Sequence, residues 1–202
     1  MTSIRHNGGP DDQLLDAARH CLLAVGWRRT TLTDVARRAG VSRMTLYRRW
    51  PDMQTLLADL MTREWSWVAD GVTGSSEASA VDRVAAGVAA TVTALRENEL
   101  FHKIVQVDPE LLLPYLLDRR GRTQDAILGM LRTTIVEGQH DGSVRRGDPD
   151  LLARSVLLAA HGFALSAQTM TGDDPDGDAS PGVTTADLDR ELRTLVARYL
   201  AP

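Results

Sequence analysis

The 202-residue chain is expected to be all-α, a small N-terminal three-helix unit followed by a larger helical region. Three observations carry that expectation. Apolar residues recur at spacings of three and four along most of the chain. No stretch of any length alternates with period two, and glycine or proline stands where the helical patterns stop.

Residues 1 to 10 show no period and read as a loose arm. From Asp12 to Val25, Leu14, Leu15, Ala18, Cys21, Leu22 and Val25 share one helical face, and Gly26 stops the helix. Thr31 and Asp34 have the spacing of a capping box, so a second helix is expected over Leu32 to Ala39 with Leu32, Val35, Ala36 and Ala39 inward. Gly40 supplies the left-handed residue that ends it. Ser42 caps a third helix that Pro51 closes. Two short helices joined by a turn of about three residues with a glycine make a helix-turn-helix. After Asp52, a long fourth helix carries Met53, Leu56, Leu57, Leu60, Met61, Trp65 and Val68 as its apolar stripe.

Gly71 to Ala80 is small and polar, hence a loop. Further helices are expected at about 81 to 97, at 110 to 118 extending to 139, at 148 to 170 and at 185 to 200. The stretch 171 to 185 holds four aspartates, three glycines and two prolines; it lacks the closing glutamate of an EF-hand and reads as a surface loop, not a metal site. The expected division is 1 to 50 for the first domain and 51 to 202 for the second, with 51 to 70 as the connecting helix.

A hydrophobic content of 43% suffices for a core. The single cysteine rules out an intramolecular disulfide, no signal peptide pattern opens the chain, and the apolar run 151 to 165 is interrupted by Arg154 and His161. The expectation is a cytoplasmic protein without a membrane span. Net charge is −4, but residues 28 to 49 hold seven arginines against one acid, so this segment carries +6 and the remainder −10. A basic patch on an acidic body suits contact with a polyanion through one surface.

The third helix shows how such contact would work. At 100° per residue Leu46 and Trp50 fall together, Met44 and Arg48 lie opposite, and Thr45 and Tyr47 flank them. The helix buries only enough to be clamped. A DNA major groove admits one such helix; an arginine can take guanine O6 and N7, Met44 can touch a thymine methyl, and the hydroxyls can donate to phosphates.

The stretch TLTDVARRAGVSRMTLYRRWPDMQTLL, residues 31 to 57, closely resembles the DNA-binding signature of the TetR family of transcriptional regulators. The resemblance is strong over about 12 to 60 and weaker beyond, where 108 to 117 and 138 to 149 are similar to stretches of some members. It implies a three-helix DNA-binding domain and an all-helical C-terminal domain that dimerises and binds a small effector. By this resemblance Thr33, Ser42, Arg43, Met44, Thr45, Tyr47, Arg48 and Arg49 form the DNA-binding set. Where the family often has lysine, the fourth helix here begins with Met53, leaving Arg49 or helix amides to hold phosphate; Trp50 replaces the commoner phenylalanine.

A single helix-turn-helix reads few bases, so a homodimer on a palindromic operator is expected. Ala159, Gly162 and Phe163, in a helix apolar around most of its surface, and Leu192, Leu195, Val196 and Tyr199 of the last helix are the candidate dimer surface. Trp65, Phe101, His102, Gln106, Tyr115, Met130 and His161 place polar or polarisable groups within apolar patterns and are the candidate effector pocket. The expected function is a repressor released from its operator by a small molecule. The alternative is an architectural or activator-type DNA-binding protein without a dissociating ligand. No nucleophile elbow, P-loop, dinucleotide fingerprint or zinc-protease motif is present and the five histidines are scattered, so no enzyme, metal or cofactor is expected.

Overall fold

The computed structural model describes residues 10–70, 79–171 and 182–202, with side chains from 11 onward except 65–70. The expected arm, most of the first loop and most of the aspartate-rich stretch lie outside them. Nine α-helices and no strand occur among the described residues: α1 (Pro10–Val25), α2 (Leu32–Ala39), α3 (Arg43–Arg49), α4 (Met53–Asp70), α5 (Ala80–Glu97), α6 (Glu99–Val107), α7 (Arg122–Asp141), α8 (Pro149–Ser166) and α9 (Thr185–Leu200). The expected all-α class is the observed one.

The chain divides into two compact units. The first comprises residues up to Trp65 together with Asn98–Arg119. Its core joins Leu14, Leu15, Ala18 and Leu22 of α1, Leu32 and Val35 of α2, Leu46 and Trp50 at α3, Leu56, Leu57 and Leu60 of α4, and Leu100 and Ile104 of α6. The packing unit around the helix-turn-helix is therefore larger than residues 1 to 50. Without α4 and α6 the apolar faces of α1, α2 and α3 would be only partly covered.

The second unit comprises Ser66–Glu97 and Arg120–Pro202. Val84, Ala85 and Val92 of α5, Ile135 of α7, Leu152, Ala153 and Val156 of α8, and Leu192, Val196 and Leu200 of α9 share one core. Gly138 of α7 leaves no room for a side chain: an added Cβ would lie 2.6 Å from Ala80 Cβ and nearer still to Val144 Cγ2. Arg96 forms an ion pair with Asp189, which also accepts from Thr93 Oγ1 at 2.8 Å, tying α5 to α9. With its 3-10 extension to Met170, α8 is long and apolar enough to cross a membrane by length and composition. Its Leu152, Ala153, Val156 and Ala164 nonetheless pack in this core.

Three expectations need correction. A helix, α6, occupies Glu99–Val107, where none was expected; Asn98 caps it by accepting from the amides of Leu100 and Phe101. The expected continuous helix from 110 to 139 is broken. Pro109 and Pro114 cannot donate backbone hydrogen bonds, and this stretch forms a 3-10 turn (Pro109–Leu111) and a single π turn (Pro114–Asp118) before α7 starts. Ala80, read as loop, is the buried first residue of α5.

Candidate nucleic-acid interface

Local caps place the helix-turn-helix. Thr31 Oγ1 accepts the Asp34 amide at 3.2 Å while Asp34 Oδ2 accepts the Thr31 amide at 3.2 Å, so both arms of the expected capping box are present. The Thr31 hydroxyl and amide both donate to the Asp34 carboxylate and, with Arg37 nearby, hold it below the usual aspartate range. At the other end of α2, Gly40 adopts φ 69°. Its amide donates to Arg37 O and the Val41 amide to Ala36 O, a Schellman closure that needs the left-handed glycine. An added Cβ at Gly40 would meet no atom within 4 Å, so backbone conformation and not crowding demands glycine there. Ser42 Oγ then accepts the Thr45 amide at 3.1 Å and starts α3.

Helix α3 is clamped from one side. Leu46 is 0% and Trp50 1% exposed, burial on the order of 1.5–3 kcal/mol for each side chain. The Trp50 amide ends the helix on Leu46 O. On the opposite side Met44 is 76% exposed, with Arg43 and Arg48 also exposed and Tyr47 at 46%. Thr33 and Thr45 are half-buried, and the Thr45 hydroxyl is within hydrogen-bond distance of the Ser42 hydroxyl at 2.9 Å.

The seven arginines of the basic segment fall into two groups. Arg37 pairs with Asp34 at 2.7 Å, Arg28 with Glu110 at 2.7 Å, and Arg49 with Asp11 of α1. Arg29, Arg38, Arg43 and Arg48 have no carboxylate at ion-pair distance among the described residues. Arg49, expected to compensate for the missing lysine at Met53, is thus already engaged by an acid. The start of α4 is capped instead by Asp52, whose Oδ1 accepts the Thr55 amide at 2.7 Å.

The expected effector residues are divided between the units. In the first, Phe101 is buried, Tyr115 is half-buried beneath the Arg119 guanidinium, and His102 and Gln106 are exposed and bonded to each other. In the second, Met130 is half-exposed; His161 is partly buried, 3.5 Å from Gln124 Nε2, and burial lowers its pKa. The side chain of Trp65 lies outside the described residues.

Of the expected dimer residues, Leu192 and Val196 are 0% exposed within the single chain. They belong to its core, because their face of α9 turns toward α5, and they cannot present surface to a partner. Gly162 and Leu195 are exposed, Ala159 and Phe163 partly buried, and Tyr199 is covered by the Arg145 guanidinium at 4.6 Å. Two leucines of α8 that sequence reasoning did not single out, Leu151 and Leu158, are 60% and 70% exposed. Their seven-residue spacing, with Gly162 four further on, was the available signal.

The profile described as bacterial regulatory proteins, tetR family, matches residues 14–60. An HTH-type transcriptional regulator of Mycobacterium tuberculosis is 37% identical over 157 residues, covering 77% of this chain and 80% of that protein. The HTH-type transcriptional regulator AqdR of Rhodococcus erythropolis is 42% identical over 65 residues, 32% of this chain and 31% of that one. Among solved structures, the fatty acid degradation regulator FadR from Bacillus halodurans is similar with a TM-score of 0.66 and 16% identity, over 96% of this chain and 97% of that chain. The R. erythropolis repressor QsdR gives 0.66 at 13% identity, over 95% and 94%. At such identities the structural likeness speaks for the fold alone.

Proposed function

The chain belongs to the tetR family of bacterial regulatory proteins and is a DNA-binding transcriptional regulator, and from that premise we propose that it acts as a homodimeric repressor released from its operator by a small-molecule effector. One observation carries the DNA-reading part. Leu46 and Trp50 bury one side of α3, while Arg43, Met44, Tyr47 and Arg48 stand exposed with both guanidiniums free of acids among the described residues. Such a face offers bidentate donors for guanine and an apolar contact for a thymine methyl. Thr33, Ser42 and Thr45 supply hydroxyls for the phosphates beside it.

Dimerisation is supported by the exposed apolar line Leu151 and Leu158 on α8, with the exposed Gly162 one turn further on, and by Leu195 on α9. Placing large leucines in water is unfavourable, and a second copy would cover them. Phe101 and Tyr115 in one unit and His161 with Gln124 in the other are our candidates for sensing an effector. Release would require that the effector bind the DNA-incompatible state more tightly than the DNA-compatible one.

Selection of bound sequences from a random duplex library at a stated salt concentration tests the reading. Enrichment of a palindrome supports a dimeric sequence-specific regulator and supplies the duplex for effector screening. Salt-sensitive binding without enrichment would replace it with an architectural role.

A further inference from the structure

Asp108 is the one fully buried carboxylate among the described residues, 2% exposed. It ends α6, where its amide donates to Ile104 O at 2.9 Å. Its Oδ2 accepts the backbone N–H of Trp27 at 2.8 Å, across 81 positions of sequence. Trp27 lies in the turn between α1 and α2. That turn is otherwise closed on itself: Gly26 N–H donates to Leu22 O, Thr30 N–H to Trp27 O, and the buried Thr30 hydroxyl to Gly26 O. The Trp27 amide is the turn's donor that finds its acceptor from outside. Arg28 of the same turn lies 4.0 Å from Asp108 Oδ1 and 2.7 Å from Glu110, two residues further on.

The approach is tight. Gly26 has φ 81°, and a Cβ there would lie 3.2 Å from Asp108 Oδ2. One residue past the turn, Thr31 begins the capping box of α2, so the turn sets the direction in which α2 and α3 leave α1. The apolar core of the unit is built from other residues and does not include Asp108.

We propose that Asp108 is a positioning residue for DNA recognition, holding the turn between α1 and α2 from the end of α6 and thereby fixing the helix-turn-helix. The inference rests on the reading of the chain as a sequence-specific regulator. Base readout needs fixed side-chain geometry, whereas attraction to phosphates in a random duplex tolerates a looser one. Loss of the hold should therefore act on specific binding selectively.

The test uses the full chain, the duplex enriched by selection and a random duplex, at one salt concentration, with helicity recorded for each variant. Asp108→Ala is expected to lose about tenfold or more on the selected duplex and to stay within about twofold on the random one. Asp108→Asn, whose amide oxygen still accepts the Trp27 N–H, should remain near the parent. Asp108→Val, which fills the space of the carboxylate without an acceptor, should reproduce the selective loss, and it decides the matter if Asp108→Ala does not fold. The proposal is overturned if Asp108→Ala or a folded Asp108→Val binds the selected duplex like the parent. It is equally overturned if binding to both duplexes falls together, or if Asp108→Asn loses as much as the alanine. A parent chain with no preference for any duplex removes the regulator reading and this one together; a preference that the variants leave untouched removes this one alone.

Discussion

The indole Nε1–H of Trp50 donates to Asp59 Oδ2 at 2.8 Å, bonding the residue that ends α3 into α4. Trp50 is 1% exposed, so the ring is a packed core element as well as a hydrogen-bond donor. Trp50→Phe keeps most of the ring and removes the donor; about 1–2 kcal/mol of stability should be lost in urea unfolding, with DNA binding retained. Trp50→Ala should cost about 3–5 kcal/mol and remove DNA binding along with the fold of the first unit. Equal losses for the two variants would contradict this division between packing and hydrogen bonding.

Arg48 and Arg49 are adjacent in sequence but differ in their partners. Arg48 is exposed and without an acid among the described residues, while Arg49 is ion-paired with Asp11. If Arg48 reads a guanine, Arg48→Ala should cost about 1–3 kcal/mol of binding on the selected duplex and relax preference at that base pair. Arg49→Ala should change preference at no position, because its guanidinium is held by a carboxylate. Affinities on a set of single-base-pair variants of the duplex separate the two. A relaxed base preference in the Arg49 variant would reverse the assignment.

Two titrating groups give two separate pH windows. Hydrogen bonds from Thr31 hold Asp34 below its ordinary range, so its contribution to stability is present above about pH 4 and is lost as pH falls through the lower folded value. His161 is depressed by burial, so its neutral form favours the fold: stability is full above about pH 6.5 and declines as pH falls from there toward the folded value. Thermal midpoints at stepped pH should show Asp34→Asn reducing the acid limb, to which Asp52, Glu110, Asp141 and Asp187 also contribute, and His161→Gln flattening the region between about pH 7 and 5. Thr31→Ala, which removes the cap itself, should cost about 0.5–2 kcal/mol at neutral pH. An unaltered profile in either charge-removing variant would show that the group does not titrate with folding.

The helix-turn-helix was legible in the sequence because its determinants are local. Thr31 with Asp34, Gly40 with Ala36, and Ser42 with Thr45 each act within four residues, and the bounds of α2 follow from them. Segment 98 to 119 was not legible. Asn98 is a valid cap signal, but α6 is only nine residues long, and the apolar run after it reads as one helix although Pro109 and Pro114 break it. The contacts of Asp108 with Trp27 and of Arg49 with Asp11 span 81 and 38 positions, and no periodicity reports them. Periodicity likewise reveals that α9 carries an apolar face without saying what covers it. Leu192 and Val196 are covered by their own chain, whereas Leu195 is not.

That difference on α9 yields the most direct test of the proposed dimer. Leu158 and Leu195 are 70% and 47% exposed in the single chain, so changing either to glutamate should leave the second unit's core intact. In a dimer that buries them, each substitution occurs twice and places an unpaired charge in an apolar contact, which should weaken association by about tenfold or more. Sedimentation over a range of concentrations reads the dimer, and the thermal midpoint at fixed low concentration reads the monomer. Operator binding should fall with the dimer, because two half-sites are then no longer held at fixed spacing. Leu192→Glu serves as the contrast. Its side chain is 0% exposed, so it should unfold the second unit outright. A dimer that survives Leu158→Glu and Leu195→Glu together, with the fold intact, would mean that some other surface joins the two copies.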